Sequence, residues 1–206
     1  MSREVDEVKT VCKVVVVFDI CSSTTLLEDL IQTENLQRWR NVLIGLKEFL
    51  VVERSNTSFE IYKFIGDGWV LLFDANSITG TDLMQFLRRL CLEYKKLFKK
   101  HIYEVLSTKI CDIGLKFGIE LGTLLKIVMN KKREYIGRPL NVAARLQDAI
   151  KQRDAAPHGK LLISKNAFSN LGLSKSPKYT GKLVGRALRN ISGGERYQAR
   201  KIVILK

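Results

Sequence analysis

Apolar positions along this chain recur at two periods, and the periods divide it into elements. "KVVVVFDI" (13–20) is a short unbroken apolar run rich in valine, which predicts a strand buried on both faces. The hydroxyls of "SSTT" after it supply helix caps, and apolar residues at helical spacing then predict one long helix over roughly 23 to 53. "FEIYKFI" and "GWVLLFD" flank Gly66-Asp67 and predict two strands joined in a tight hairpin. "TDLMQFLRRLCLEYKKLFKKHI" predicts a second amphipathic helix starting near Thr81. "DIGLKFGIELG" and "LLKIVMN" predict a further strand pair, and "RPLNVAARLQDAIKQ" a third helix with Pro139 in its first turn. "GKLLIS" reads as a strand and "NAFSNLG" as a short helix closed by glycine. The tail from about 178 reads as a closing strand pair around "SGGERYQ".

The order β-α-β-β-α-β is the ferredoxin-like arrangement. The expected fold class is therefore α+β, a ferredoxin-like core with an extra C-terminal helix and strands. No internal repeat, low-complexity stretch or long linker interrupts the chain, and 206 residues can build a sizeable core. The expectation is a single domain over 1–206, with a core over about 13–150 and a C-terminal extension over 151–206.

Charge narrows the partners. The formal net charge is +14. Such an excess fits nucleic acid, an anionic small molecule or an acidic protein. The stretch "RRLCLEYKKLFKKH" reads first as the solvated face of an amphipathic helix. No aromatic RNA-binding motif or zinc-finger spacing accompanies it, which makes nucleic acid the less favoured partner. Cys12, Cys21, Cys91 and Cys111 show no CxxC spacing and read as reduced thiols of a cytoplasmic protein. His101 and His158 are the two histidines, and no HExxH motif joins them, which disfavours histidine-based zinc chemistry. No apolar run has the length of a membrane span, and "MSREVDEVKT" has no signal-peptide core.

Two carboxylates carry the chemistry. Asp19 ends the first strand, and Asp67 sits between glycines at the hairpin tip. In a ferredoxin-like sheet these two places meet. Taken singly, Asp19 reads as a helix cap and Asp67 as a turn residue. Taken together, two such carboxylates repel unless a cation lies between them. Hard oxygen ligands select magnesium or manganese, and a pair of such ions serves in-line displacement at phosphorus. The backbone of Ser22, Ser23 and Thr24 opens a helix, where N–H groups cradle phosphate. Asn141 and Arg145, four apart, share a helical face; Ala143 and Ala144 leave room for close packing. Arg145 reads either as an exposed surface arginine or as a phosphate ligand.

"FDICSST", "KFIGDGW" and "YIGRPLNVAARLQ", in this order and spacing, resemble the class III nucleotidyl cyclase catalytic domain. The resemblance covers about 13 to 150. It implies an enzyme that makes 3′,5′-cyclic nucleotides from nucleoside triphosphates, with two divalent cations, Mg²⁺ or Mn²⁺, at the interface of a head-to-tail homodimer. By position, it makes Asp19 and Asp67 the metal carboxylates and adds the Ile20 carbonyl. It gives Asn141 the ribose and Arg145 the pentavalent phosphorus. Lys63 and Glu134 fall at the base-recognition positions, and Arg196 is the candidate for a second phosphate-binding cation. Ser22 stands where glycine is common, and Arg138-Pro139 where an acidic pair is frequent.

Adenylate cyclases typically carry lysine and aspartate at the base positions. Lys63 with Glu134 keeps those charges but not the length. The chain holds little besides the catalytic domain, an architecture that looks like the stand-alone bacterial cyclases of Pycsar antiphage defence, which make cyclic UMP or cyclic CMP. The expected substrate order is UTP or CTP, then ATP, then GTP. The alternatives are an adenylate cyclase making cyclic AMP and a non-catalytic nucleotide-binding relative.

Overall fold

The computed structural model describes residues 9–110, 113–150 and 159–205. Cys111, His158 and the expected boundary at 151 lie outside them. In chain order the elements are β1 (Lys9–Ile20), α1 (Ser23–Gln32), α2 (Leu36–Asn56), β2 (Phe59–Ile65), β3 (Gly68–Asp74), α3 (Gly80–His101), β4 (Leu115–Met129), β5 (Lys132–Ile136), α4 (Arg138–Asp148), β6 (Lys160–Ser164), α5 (Lys165–Asn170), β7 (Lys182–Arg186) and β8 (Tyr197–Val203). One sheet runs β2-β3-β1-β4-β6-β8-β7, with β5 paired to β4. Its first four strands are antiparallel neighbours, the expected ferredoxin-like core. The remaining strands extend the same sheet, and β6 joins β4 in parallel after α4.

The valine run explains itself once β1 is seen at the centre. Val14, Val16, Phe18 and Ile20 pack toward α1, α2 and α3, while Val15 and Val17 pack on the other face with Ala143 of α4. A strand covered on both sides has no solvated face to keep polar. α3 begins at Gly80 rather than Thr81. The Thr79 hydroxyl accepts from the Asp82 amide and donates to the Asp82 carboxylate at 2.6 Å, a reciprocal cap. Buried Glu120 ties the extension to the core: Ser164 donates to it at 2.7 Å, and so does Tyr197.

Four expectations need correction. The helix expected over 23 to 53 is two helices. The Thr33 amide and hydroxyl both return to the Asp29 carbonyl, at 2.9 Å each, and Glu34 turns left-handed at φ 56°. Ser22, expected as a hydroxyl cap, makes no side-chain cap; it takes φ 55° instead. The strand pair expected over 112–122 and 124–130 is one strand, β4, with residue 112 outside the described residues; the next strand in the chain that pairs with it is β5, beyond a turn at Asn130-Lys131, φ 51° and 61°. Gly122 is a packing contact: a Cβ there would lie 2.8 Å from the Pro139 ring. α4, expected to reach residue 152, ends at Asp148.

α4 also needs Gly118. A Cβ at that position would fall 2.0 Å from the Ala143 carbonyl oxygen, so backbone lies nearly on backbone. The β4–β5 hairpin folds back over the same face, where Tyr135 joins Val15, Val17, Val70 and Leu72.

Candidate active site

Asp19 and Asp67 converge. β1 and β3 pair antiparallel with Phe18 opposite Trp69, which sets the end of β1 beside the hairpin tip. The tip needs its two glycines for different reasons. Gly66 takes φ 70°, open to solvent, as the turn demands. Gly68 has no space for a side chain, because a Cβ would meet the Phe18 carbonyl oxygen at 2.0 Å. Asp67, held between them, is pressed against the end of β1.

The two carboxyls have different surroundings. Asp19 accepts from the Lys116 ammonium at 2.9 Å and from the Gln147 amide at 3.3 Å. One oxygen of Asp67 is buried and has no hydrogen-bond partner among the described residues. Burial raises the Asp67 pKa, the nearby Asp19 carboxyl adds to the rise, and the Ser23 hydroxyl opposes it; the result is about 6. At Lys116 burial is the largest influence and pulls down, but the hydrogen bond to Asp19 and the neighbouring negative charges together outweigh it and the ammonium pKa is raised.

A divalent cation fits this donor set. Two carboxylates give hard oxygen ligands, and the orphaned Asp67 oxygen is a buried acceptor without a donor. Among the described residues no three side chains of His, Cys, Asp or Glu converge into a metal cluster. The remaining ligands would be backbone, substrate or water. Ile20 follows Asp19 directly at the end of β1.

Lys63 and Glu134 also come together, across elements far apart in sequence. Their charged ends are 2.8 Å apart, β2 to β5. The Tyr62 hydroxyl donates to the same Glu134 carboxylate at 2.7 Å and accepts from the Tyr135 amide at 3.0 Å. The pairing raises Lys63 and lowers Glu134, each chiefly through the other's hydrogen bond.

Asn141 and Arg145 do not join Asp19 and Asp67 within this chain. They lie on the exposed side of α4, and Arg145 pairs with Asp148 at 3.2 Å. Gln147, on the buried side, is the α4 residue that reaches Asp19. Ser22 and Ser23 stand at the β1–α1 turn, with Thr24 exposed in the first turn of α1. Arg196 is exposed in the turn before β8, apart from the rest. Sequence reading missed Lys116, Gln147 and Tyr62. Lys116 lies directly opposite Asp19 in the β1–β4 register, a signal available only once that register is known.

Solved structures share this architecture across nearly the whole chain. An adenylyl cyclase, CyaB from P. aeruginosa, superposes with TM-score 0.71 and 21% identity over 97% of each chain. The guanylyl cyclase Cya2 gives 0.68 and 15% identity, over 94% of this chain and 92% of its own. The chain has the class III nucleotidyl cyclase fold. A Trypanosoma brucei adenylate cyclase, solved as a monomer, superposes at 0.66 with 15% identity, over 93% of this chain and 87% of that one. No family model matches the chain, and no curated protein matches it. On the cyclase fold, the convergence of Asp19 with Asp67 sits at the end of β1 and the β2–β3 tip, where the sequence motifs placed it. Among the described residues no helix is long and apolar enough to cross a membrane.

Proposed function

We propose that this chain is a class III nucleotidyl cyclase, a phosphorus-oxygen lyase that converts a pyrimidine nucleoside triphosphate to its 3′,5′-cyclic monophosphate and pyrophosphate. The observation that carries it is the pairing of Asp19 with Asp67, which has one buried oxygen without a hydrogen-bond partner among the described residues, on a cyclase fold. Mg²⁺ or Mn²⁺ ions held by Asp19, Asp67 and the Ile20 carbonyl would acidify the ribose 3′-hydroxyl and neutralise charge on the triphosphate. The 3′-oxygen bonds to the α-phosphorus as the bond from that phosphorus to the α,β-bridging oxygen breaks, pyrophosphate leaves with that oxygen, and the hydroxyl proton passes to water. Asn141 orients the ribose for that in-line attack. Arg145 donates to phosphoryl oxygens as their charge develops; losing one such donor costs about 10²–10³ in rate elsewhere. The backbone of Ser22, Ser23 and Thr24 faces the phosphates, and Arg196 serves as a further cation for them. The net charge of +14 favours capture of a polyanion.

Lys63 and Glu134 read the base. Paired at 2.8 Å, they present a donor and an acceptor side by side. Uracil offers O4 to the lysine and N3–H to the glutamate; cytosine offers N3 and its amine. Cyclic UMP is the first-choice product, cyclic CMP the second, in a cytoplasmic homodimer that signals in bacterial antiphage defence.

The test is incubation of the protein with equimolar ATP, GTP, CTP and UTP plus Mn²⁺, resolving products by mass. Cyclic UMP or cyclic CMP should dominate, and Asp19→Asn should make neither. Lys63→Ala should lower kcat/KM for the preferred base most, flattening selectivity, because a site built to hydrogen-bond a base rejects what leaves it unpaired. Cyclic AMP as the main product would replace the pyrimidine reading with an adenylate cyclase. No cyclic product at all would leave a nucleotide-binding protein.

A further inference from the structure

On the α3 side of the sheet, away from the face on which Asp19 meets α4, lies a second cavity of about 420 Å³. That falls within the ~300–1,000 Å³ of small-molecule sites. Its walls are largely apolar: Phe98 of α3 stands across from Ile113 and Leu115 at the start of β4. Lys95 and Lys99, one helical turn apart on α3, flank it. Both are exposed, and neither has a carboxylate partner among the described residues. Tyr94 stands in the wall, 1% exposed, with its hydroxyl buried and unpartnered among the described residues. Burial pushes that phenol up, so it remains a neutral donor.

The cavity backs onto the turn that follows Asp19. Its lining residue Gly114 accepts a backbone hydrogen bond from Cys21 at 2.8 Å. Leu115 lies opposite Ile20 in the β1–β4 register. The next residue, Lys116, holds Asp19 at 2.9 Å. A molecule that presses on residues 113–115 therefore acts, through one strand of backbone, on both Ile20 and the partner of Asp19.

We propose that this cavity binds a free amphipathic monocarboxylate of the fatty-acid class, with its chain among Phe98, Ile113 and Leu115 and its carboxylate on Lys95 and Lys99, and that occupancy is transmitted to the Asp19 loop. An apolar body explains the walls, and one negative charge matches two ammonium groups, one helical turn apart, that have no carboxylate partner among the described residues. A cavity of bounded volume takes a single molecule, which separates this site from a surface that lies on a bilayer. Transmission to Asp19 is regulatory on the cyclase reading; the binding itself does not depend on it.

The probe is sodium dodecanoate below its micellar concentration, titrated calorimetrically into the full chain. One saturable site per chain is expected. Lys95→Gln combined with Lys99→Gln, two exposed positions that leave the fold alone, should weaken binding roughly tenfold or more through loss of charge-assisted hydrogen bonds. Dodecyltrimethylammonium should not compete. Bound dodecanoate should slow amide exchange over Ile20–Ser22, a readout that needs no turnover. Absence of saturable binding, equal affinity in the double variant, or attachment to phosphatidylglycerol vesicles without binding of free dodecanoate would each overturn the proposal. Dodecanoate binding with unchanged exchange at Ile20–Ser22 would overturn the transmission. A protein that binds dodecanoate but cyclises no nucleotide would sink the functional reading and leave this one standing.

Discussion

Asp67 is a carboxyl that its own fold disfavours as an anion. Burial and the Asp19 carboxyl hold its pKa near 6, far above the ordinary aspartate value. A proton and a cation therefore compete for the same oxygen. Mn²⁺ affinity, followed by calorimetry, should fall as pH drops through about 6 and be nearly flat above it; an affinity independent of pH across that range would mean that Asp67 is not a ligand. Asp29 is the opposite case. It is buried in α1 and accepts four hydrogen bonds, from the amides and hydroxyls of Ser107 and Thr108, at 2.5 to 3.0 Å. The Ser107 hydroxyl leads the causes that hold its pKa below the usual carboxylate value. A group whose native pKa is depressed stabilises the fold above its unfolded pKa, and that contribution disappears as pH falls through the native one. Asp29→Asn should lower the melting temperature by several degrees near neutral pH, and the gap should narrow in acid. A gap that stays constant with pH would show that the charge is not what the clamp uses.

At the scale of elements, α4 is placed by glycine rather than by its own helical propensity. Gly118 lets the Ala143 carbonyl approach to within 2.0 Å of where a Cβ would stand, and Gly122 gives Pro139 its seat. Overpacking a tight contact costs about 1–3 kcal/mol and occasionally more. Gly118→Val should sit at the upper end, because the obstructing atom is backbone and cannot rotate away. It should also cut turnover more than it cuts stability, since α4 carries Asn141, Arg145 and the Gln147 bond to Asp19. Gly185→Ala, where nothing lies within 4 Å, is the matched control and should be close to neutral in thermal melts. Equal melting shifts for the two would refute the steric account of how α4 is seated.

Over the whole molecule, the parts of the proposed site point different ways. Asp19 and Asp67 meet at one edge, while Asn141 and Arg145 face solvent on the far side of α4. On the cyclase reading proposed above, one chain would supply two half-sites, which a head-to-tail pair would complete. Asp67→Asn and Arg145→Ala should each be nearly inactive alone. Mixed and allowed to exchange subunits, they should recover activity, because one of the two sites in a mixed dimer carries neither change. A mixture that stays inactive after exchange is demonstrated by mass would place the whole site within a single chain.

The sequence by itself determined what is local or adjacent by chain connection. Valines at 14–17 specify a doubly covered strand, and Gly66-Asp67-Gly68 a hairpin tip. Those two facts suffice to bring Asp19 beside Asp67, because a hairpin following β1 in this topology has few other places to go. The break at Thr33–Asn35 stayed hidden, since apolar spacing resumes beyond it and a single left-handed residue, Glu34, makes the turn. β5 stayed hidden because β4 runs unbroken through Gly122 and the chain turns only at Asn130-Lys131. The bonds of Lys116 and Gln147 to Asp19, and of Tyr62 to Glu134, join residues 72 to 128 positions apart or set opposite only by register. Periodicity records which side of an element is buried; it carries no information about which distant residue lies against it. Those contacts were decided by strand register and by the clearance at Gly68 and Gly118, which only the assembled sheet defines.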